Sequence, residues 1–372
     1  MAHAYTPGLC VSERVLVRKK RMLPIRGDVL VKAGEQVAAN QVVARTELPG
    51  NVQLVNIAHH LGIEPADVPV KMKAAVGSAV RKGEIIAENI GLFGWFSSRV
   101  EAPGSGVIES MSKVTGQVLL REPPLPLEVM AYISGQVMEV YENEGVEVAT
   151  VGAFIQGIIG IGSEKQGVIK VLARDSGQTL CAEDIDESCA GKIIIGGKNA
   201  DLAAYRRAEQ VGAVGLVVGS FSDSDLGAIL GYDLGIAITG GEEIVTTLIL
   251  TEGFGDLDMA GRTFDLMCSL DGRYASINGA TQIRAGVIRP EIIVSLDEAP
   301  AQVPPSADAE TRIGARVRII RQPHFGVIAR IKALPSEPVV IESGATVRVM
   351  ALELPDGTMH TLPRANVELI AE

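Results

Sequence analysis

Aromatic residues are scarce in this chain: Phe, Trp and Tyr together make up 4% of 372 positions, with a single tryptophan. The four cysteines, Cys10, Cys181, Cys189 and Cys268, lie far apart and form no Cys-x-x-Cys pair. They offer no ligand set for an iron–sulfur cluster and fit reduced thiols in a cytosolic protein. No apolar run reaches the roughly 18 residues that a bilayer-spanning helix needs. The greasiest stretches, GAFIQGIIGIG and VGAVGLVVGSF, are short and broken by glycine. The opening MAHAYTPGLC lacks a charged segment followed by an apolar one, so no secretory leader is expected and a cytoplasmic location is. Catalytic signatures are missing as well. There is no Gly-x-Ser-x-Gly elbow and no His-Glu-x-x-His among the five histidines. Gly152, Gly157, Gly160 and Gly162 neither follow Gly-x-Gly-x-x-Gly nor lead into Gly-Lys-Ser/Thr, so close packing is their expected role. The adjacent His59 and His60 have no third metal ligand in view. No metal and no cofactor is expected.

What remains is aliphatic. Apolar residues reach 47%, glycines number 41, and the mean hydropathy is +0.25. Val/Ile runs punctuated by Gly describe β-rich domains with many tight turns, and the length suits more than one core. Apolar content of this order also suggests surface buried against a partner or against copies of the chain, a homo-oligomer. A net charge of −11 argues against wholesale nucleic-acid binding while leaving room for one basic module.

Residues 1–160 contain an internal repeat. Gly34-x-x-Val37-x-x-Asn40-x-Val42-Val43-Ala44 returns 43 positions later as Gly77-x-x-Val80-x-x-Gly83-x-Ile85-Ile86-Ala87. A Gly-x-Val unit opens strands at Gly27, Gly116 and Gly135, and Asn143-Glu144-Gly145 reads as a hairpin turn. Two related half-motifs of this kind predict a small closed β structure. The stretches VLVKAGEQVAANQVVA, VGSAVRKGEIIA and VEAPGSGVIESM resemble the barrel-sandwich hybrid fold of biotinyl and lipoyl domains and of the C subunit of Rnf-type complexes. That resemblance implies a scaffold that hosts unrelated tasks. It also raises the question of a carrier lysine at Lys71 or Lys73. Lys73 lies only four residues before Gly77, which leaves no room for the return strand of a carrier hairpin, so a solvated strand edge is expected there. The basic run Val17–Arg21 suggests docking to an acidic partner or to a membrane surface.

Residues 165–295 change character. GKIIIGG, VGLVVGS and GIAITG read as buried strands, NADLAAYRRAEQVGA as a helix with Asn199 as N-cap and Gly212 as stop, and DSDLGAIL as a short helix. EEIVTTLILTEGFG comes next as a helix or an extended segment. The spacing predicts a small α/β unit with parallel strands, loosely similar to swivelling and protease-associated-type domains. Two polar clusters, one around Thr251, Glu252 and Gly253 and one formed by Asn278, Thr281, Gln282, Arg284 and Arg289, are candidates for a site at strand ends. An anion clamp by Arg284 and Arg289 competes there with salt bridges between domains.

Residues 296–311 are rich in Pro, Ala and acids and read as a linker. Residues 312–372 form a run of short strands with turns at Pro323–Gly326 and Asp356–Gly357. The pattern from Gly314 to Gly326 and the closing PRANVELI resemble a KOW-type SH3-like barrel, as in NusG-like transcription factors. Arg312, Arg316, Arg318, Arg321, Arg330 and Lys332 make six cations with no acid among them up to position 332. Arg316 and Arg318 share one strand face, and Arg330 and Lys332 share another. Such a ribbon suits phosphates or the acidic face of a protein. The fold class expected is therefore a multidomain, β-rich α+β chain: a barrel-sandwich hybrid, a small swivelling-type α/β domain and an SH3-like barrel. The leading functional expectation is a non-enzymatic scaffold or adaptor. A transcription- or ribosome-associated factor binding RNA through the last barrel, an accessory subunit of a redox or transport complex, and an enzyme built on the middle domain rank after it in that order.

Overall fold

The computed structural model describes residues 9–90, 97–231, 244–281, 288–296, 313–319, 327–335, 337–340 and 346–369. Its organising element is the strand Gly145–Gln156, GVEVATVGAFIQ, in which small and β-branched residues leave almost every position buried. A strand with apolar side chains on both faces belongs inside a sheet. This spine strand pairs antiparallel along its length with Val11–Met22, from Val11 opposite Ile155 to Met22 opposite Gly145. Its other edge is shared. Gly135–Tyr141 covers the first part, and Glu291–Ser295 covers the rest, from Gly152 to Gln156. The result is an eleven-stranded sheet that runs without a break from the N-terminal strands into the middle of the chain. The hairpin entering the spine turns where the sequence predicts, with Asn143 at φ 61° and Gly145 at φ 149°.

The internal repeat is real and nested. In the first copy the backbone N–H of Gly34 donates to Val137 and that of Leu30 to Val43; in the second, Gly77 donates to Ile108 and Lys73 to Ile86. Val37 pairs with Gly135 as Val80 pairs with Gly106. Gly34 and Gly77 have φ of 84° and 88°, a region that side chains with a Cβ avoid. The copies diverge after their central strand. Ile85–Ile90 returns directly through Ser97–Glu101, whereas Val42–Leu48 finds its return strand only at Leu125–Met130. The whole second unit is inserted into the hairpin of the first. Each unit has its own core, one around Val37, Val43 and Val137 and the other around Val80, Ile86 and Ile108.

Beyond the spine the sheet becomes parallel. Lys165–Val171, Lys192–Ile195, Gly215–Phe221 and Thr247–Phe254 lie side by side in chain order. TLILTEGF is thus a strand, and the GIAITG stretch lies outside the described residues. The helices Leu202–Gln210 and Asp223–Leu230 cover one face, and Gly261–Ser269 covers the other. Alternate residues of one strand serve the two cores: Ile193 and Ile195 point to one side, Ile194 to the other. Fully burying each such side chain contributes roughly 1.5–3 kcal/mol. The first helix stops at Gly212 (φ 77°) as expected, but its cap is Asp201, whose carboxylate accepts from Ala204 N–H at 2.7 Å. Asn199 is held elsewhere, bridging to Ser220 and donating through Nδ2 to Asp256 at 2.7 Å. The glycines of GAFIQGIIGIG do serve close packing. A Cβ on Gly152 would lie 2.3 Å from Val294 O, and one on Gly160 2.7 Å from Gly279 O.

The C-terminal strands form a five-stranded antiparallel sheet. Its order is Met359–Pro363, Val349–Glu353, Ile328–Ala333, Arg316–Ile319 and Val367–Leu369, around Val317, Ile319, Ala329, Ile331 and Leu352. The final strand pairs antiparallel with Arg316–Ile319. At the Asp356–Gly357 turn, Gly357 has φ 82° and the Asp356 carboxylate accepts from the N–H and hydroxyl of Thr358. These hydrogen bonds hold the Asp356 carboxyl below its ordinary value. The Pro323–Gly326 turn lies outside the described residues. Among the described residues, no helix is long and apolar enough to cross a membrane.

Candidate functional site

Alternation on the C-terminal sheet sends Val317, Ala329 and Ile331 inward, and therefore Arg316, Arg330 and Lys332 outward. Register places Arg316 directly opposite Arg330. Like charges at such cross-strand positions sit about 5 Å apart at Cβ and destabilise the pair. The next strand adds Glu353, opposite Arg330, whose carboxylate is 2.8 Å from Lys332 Nζ. Arg316 and Arg330 have no ion-pair partner among the described residues. Together with Ile328, Ala329, Glu353, Leu354, Pro355 and Gly357 they line an open groove of about 520 Å³. Arg318 occupies the register position opposite Ile328, and Arg321 lies outside the described residues. The ribbon is thus a cationic pair beside a neutralised Lys–Glu pair. Local sequence gives no sign of Glu353 here, because the acid that meets Lys332 comes from a strand further along the chain.

Of the second cluster, Asn278, Thr281 and Arg289 are among the described residues. Thr281 is buried, accepts from Gly160 N–H at 2.8 Å and donates to Gly160 O at 3.0 Å. Asn278 Oδ1 accepts from Ala280 N–H at 2.9 Å. Thr281 therefore pegs the 278–281 turn onto the strand Ile159–Ile161, while Asn278 closes the turn locally. Arg289 lies half-buried beyond them, while Gln282 and Arg284 lie outside the described residues. At the carboxyl ends of the parallel strands, Glu252 Oε1 accepts from Ala260 N–H at 3.1 Å and Thr251 is buried. Lys198 pairs there with Asp256 at 2.7 Å, which raises the lysine's pKa chiefly through that hydrogen bond. No group of three or more potential metal ligands occurs among the described residues.

Of the two lysines of the inserted unit's repeat, Lys71 ends the short helix Val68–Lys71 and Lys73 enters an ion-pair cluster. Lys73 lies alongside Ile85–Ile90 and its ammonium is 2.9 Å from Glu88, which also binds Arg99 at 2.9 Å. The hydrogen bonds from Lys73 and Arg99 lower the Glu88 pKa. The stability this gives is present above the ordinary carboxylate range and is lost as pH falls through the lowered value. The hairpin that returns on itself is Ile85–Ile90 with Ser97–Glu101, and its tip, residues 91–96, lies outside the described residues.

Three of the four cations in the run Val17–Arg21 form ion pairs within the chain, while Arg18 and Lys20 stay exposed. Arg18 binds Glu147 at 3.0 Å, Lys19 binds both oxygens of Glu291 at 2.5 and 2.6 Å, and Arg21 binds Glu164 at 2.7 Å. Lys20 lies 5.4 Å from the centre of the Tyr141 ring. Tyr132 sits in the same knot, fully buried at φ 70°, an uncommon conformation for a bulky residue. Its hydroxyl donates to Glu291 at 3.2 Å, its carbonyl accepts from Ser276, and the Arg21 guanidinium lies 5.2 Å from its ring centre. Burial, then the charges of Glu291 and Glu164, push the Tyr132 hydroxyl well above its ordinary pKa, so it remains a donor. These contacts fasten the first unit and Val11–Met22 to Glu164, Ser276 and Glu291 in the middle of the chain.

The chain matches no known protein-family model, and no curated protein sequence matches it at a significant level.

Proposed function

We propose that this chain is a scaffold or adaptor for protein assemblies, with the outer face of its C-terminal barrel as a contact surface. The observation that carries this reading is the Arg316–Arg330 pair. Two opposed guanidiniums over an open groove cost the sheet stability, so an anionic partner is the economical account of them. Arg is also favoured in protein interfaces because its planar fork binds carboxylates bidentately. In this reading the nested units are barrel-sandwich hybrids, the parallel layer a swivelling-type domain, and the C-terminal sheet a KOW-like SH3 barrel reached through the linker 296–311. The repeat geometry supports the first assignment, the strand order the second, and the closing strand Val367–Leu369 the third. The setting is cytoplasmic, and the groove belongs to a protein partner in preference to RNA.

Affinity capture from native lysate tests the reading, using the full chain and its Arg316→Glu/Arg330→Glu variant with nuclease added to both. The expected result is a protein retained by the parent chain despite nuclease and lost by the variant. Equal retention by both chains, or loss on nuclease treatment, would remove the reading.

A further inference from the structure

Resting on that reading, we infer that the groove recognises a short extended segment in which an isolated acidic residue is flanked by apolar ones, rather than a continuous polyanion. Three features of the lining lead there. The cationic element is compact, because Arg316 and Arg330 face each other across one strand pair and can share a single carboxylate through bidentate hydrogen bonds. Beside it the groove is walled by Ile328, Leu354 and Pro355, which favour an apolar neighbour to the acid. Glu353 also lines the groove, with its carboxylate held by Lys332 at 2.8 Å. A second acid placed along that flank would meet Glu353, so a run of acids loses there what it gains at the arginines.

The same features disfavour RNA. A phosphate backbone carries a negative charge at every unit and would have to pass Glu353. Single-stranded RNA is held largely by stacking on aromatic rings, and none of the groove's described lining residues is aromatic. An extended peptide alternates its side chains between two sides, which lets an acid reach the arginine pair while neighbouring residues lie against the apolar wall.

The test is fluorescence anisotropy on the full chain with three labelled probes: a Gly/Ser peptide carrying Leu-Glu-Leu, an oligoglutamate and an oligouridine, at low and physiological salt. The Leu-Glu-Leu peptide is expected to bind most tightly. Arg316→Gln or Arg330→Gln should weaken it about five-fold each, and the double variant about twenty-fold. Lys82→Gln, on an exposed turn of the inserted unit, should leave it unchanged. Glu353→Gln should raise oligoglutamate affinity more than that of the Leu-Glu-Leu peptide. Tighter binding of oligouridine or oligoglutamate by the parent chain would overturn the inference, as would a peptide affinity insensitive to both arginines. Failure here is distinguishable from failure of the scaffold reading. If the peptide does not bind while nuclease-resistant capture still depends on Arg316 and Arg330, the partner class is wrong and the scaffold stands.

Discussion

Gly106→Ala and Gly135→Ala should each cost about 3 kcal/mol or more, at the upper end of overpacking, and they should do so in different parts of the molecule. The two glycines are equivalents in the nested repeat, opposite Val80 and Val37 respectively. In each unit the following strand passes so close that an added Cβ would strike a carbonyl oxygen: at Gly106 it would lie 2.1 Å from Arg121 O, and at Gly135 2.2 Å from Ala149 O. Backbone oxygens in a paired ladder cannot swing aside as a flexible side chain can. Hydrogen exchange read by mass spectrometry separates the consequences. Gly106→Ala should raise exchange in the inserted unit, including Val52–Asn56 and Gln117–Arg121, while the spine strand stays protected. Gly135→Ala should loosen the spine strand and its partner Val11–Met22. A Gly106→Ala variant that loosens both regions equally would contradict the nesting of two separate cores.

Lys19→Met is the second substitution with a large expected effect. It leaves the Glu291 carboxylate without the ammonium that contacts both of its oxygens, in a site where the Glu291 side chain is only 10% exposed. Removing one partner of a buried pair costs about 3 kcal/mol, most of it the desolvated charge left behind. Tyr132 would remain as a donor to Glu291, which softens the loss without replacing the cation. The double variant Lys19→Met/Glu291→Met should recover most of the stability, because an apolar pair of similar volume needs no counter-charge. Chemical denaturation followed by circular dichroism checks both. A double variant as unstable as the single one would show that packing, and not the uncompensated carboxylate, sets the cost.

Local pattern made much of the fold legible. The repeat could be read because Gly34 and Gly77 need positive φ and because Val37 and Val80 alternate with exposed neighbours. The nesting could not, since the first unit's return strand comes only after a complete second unit has been inserted. Asn199 looked like a helix cap on spacing alone, yet a bridge to Ser220 draws it into the sheet end and Asp201 takes the cap. Arg316 and Arg330 were legible as outward cations from period-2 alternation. Glu353 was not, because only strand pairing brings it to Lys332. Local sequence does not show that Arg18, Lys19 and Arg21 of the Val17–Arg21 run meet Glu147, Glu291 and Glu164, because those acids lie far along the chain. Thr281 reads as a ligand group by type, yet its hydroxyl is held by Gly160, a pairing that depends on which side of the turn faces that strand.

The central claim is that the groove on the C-terminal sheet is where a protein partner sits. Hydrogen-exchange mass spectrometry of the full chain, with and without a purified partner recovered by capture, tests it most directly. The account predicts new protection in Arg316–Ile319, Ile328–Ala333 and Val349–Glu353, absent in the Arg316→Glu/Arg330→Glu variant. Protection confined to the parallel layer or the nested units, with the C-terminal strands unchanged, would contradict it.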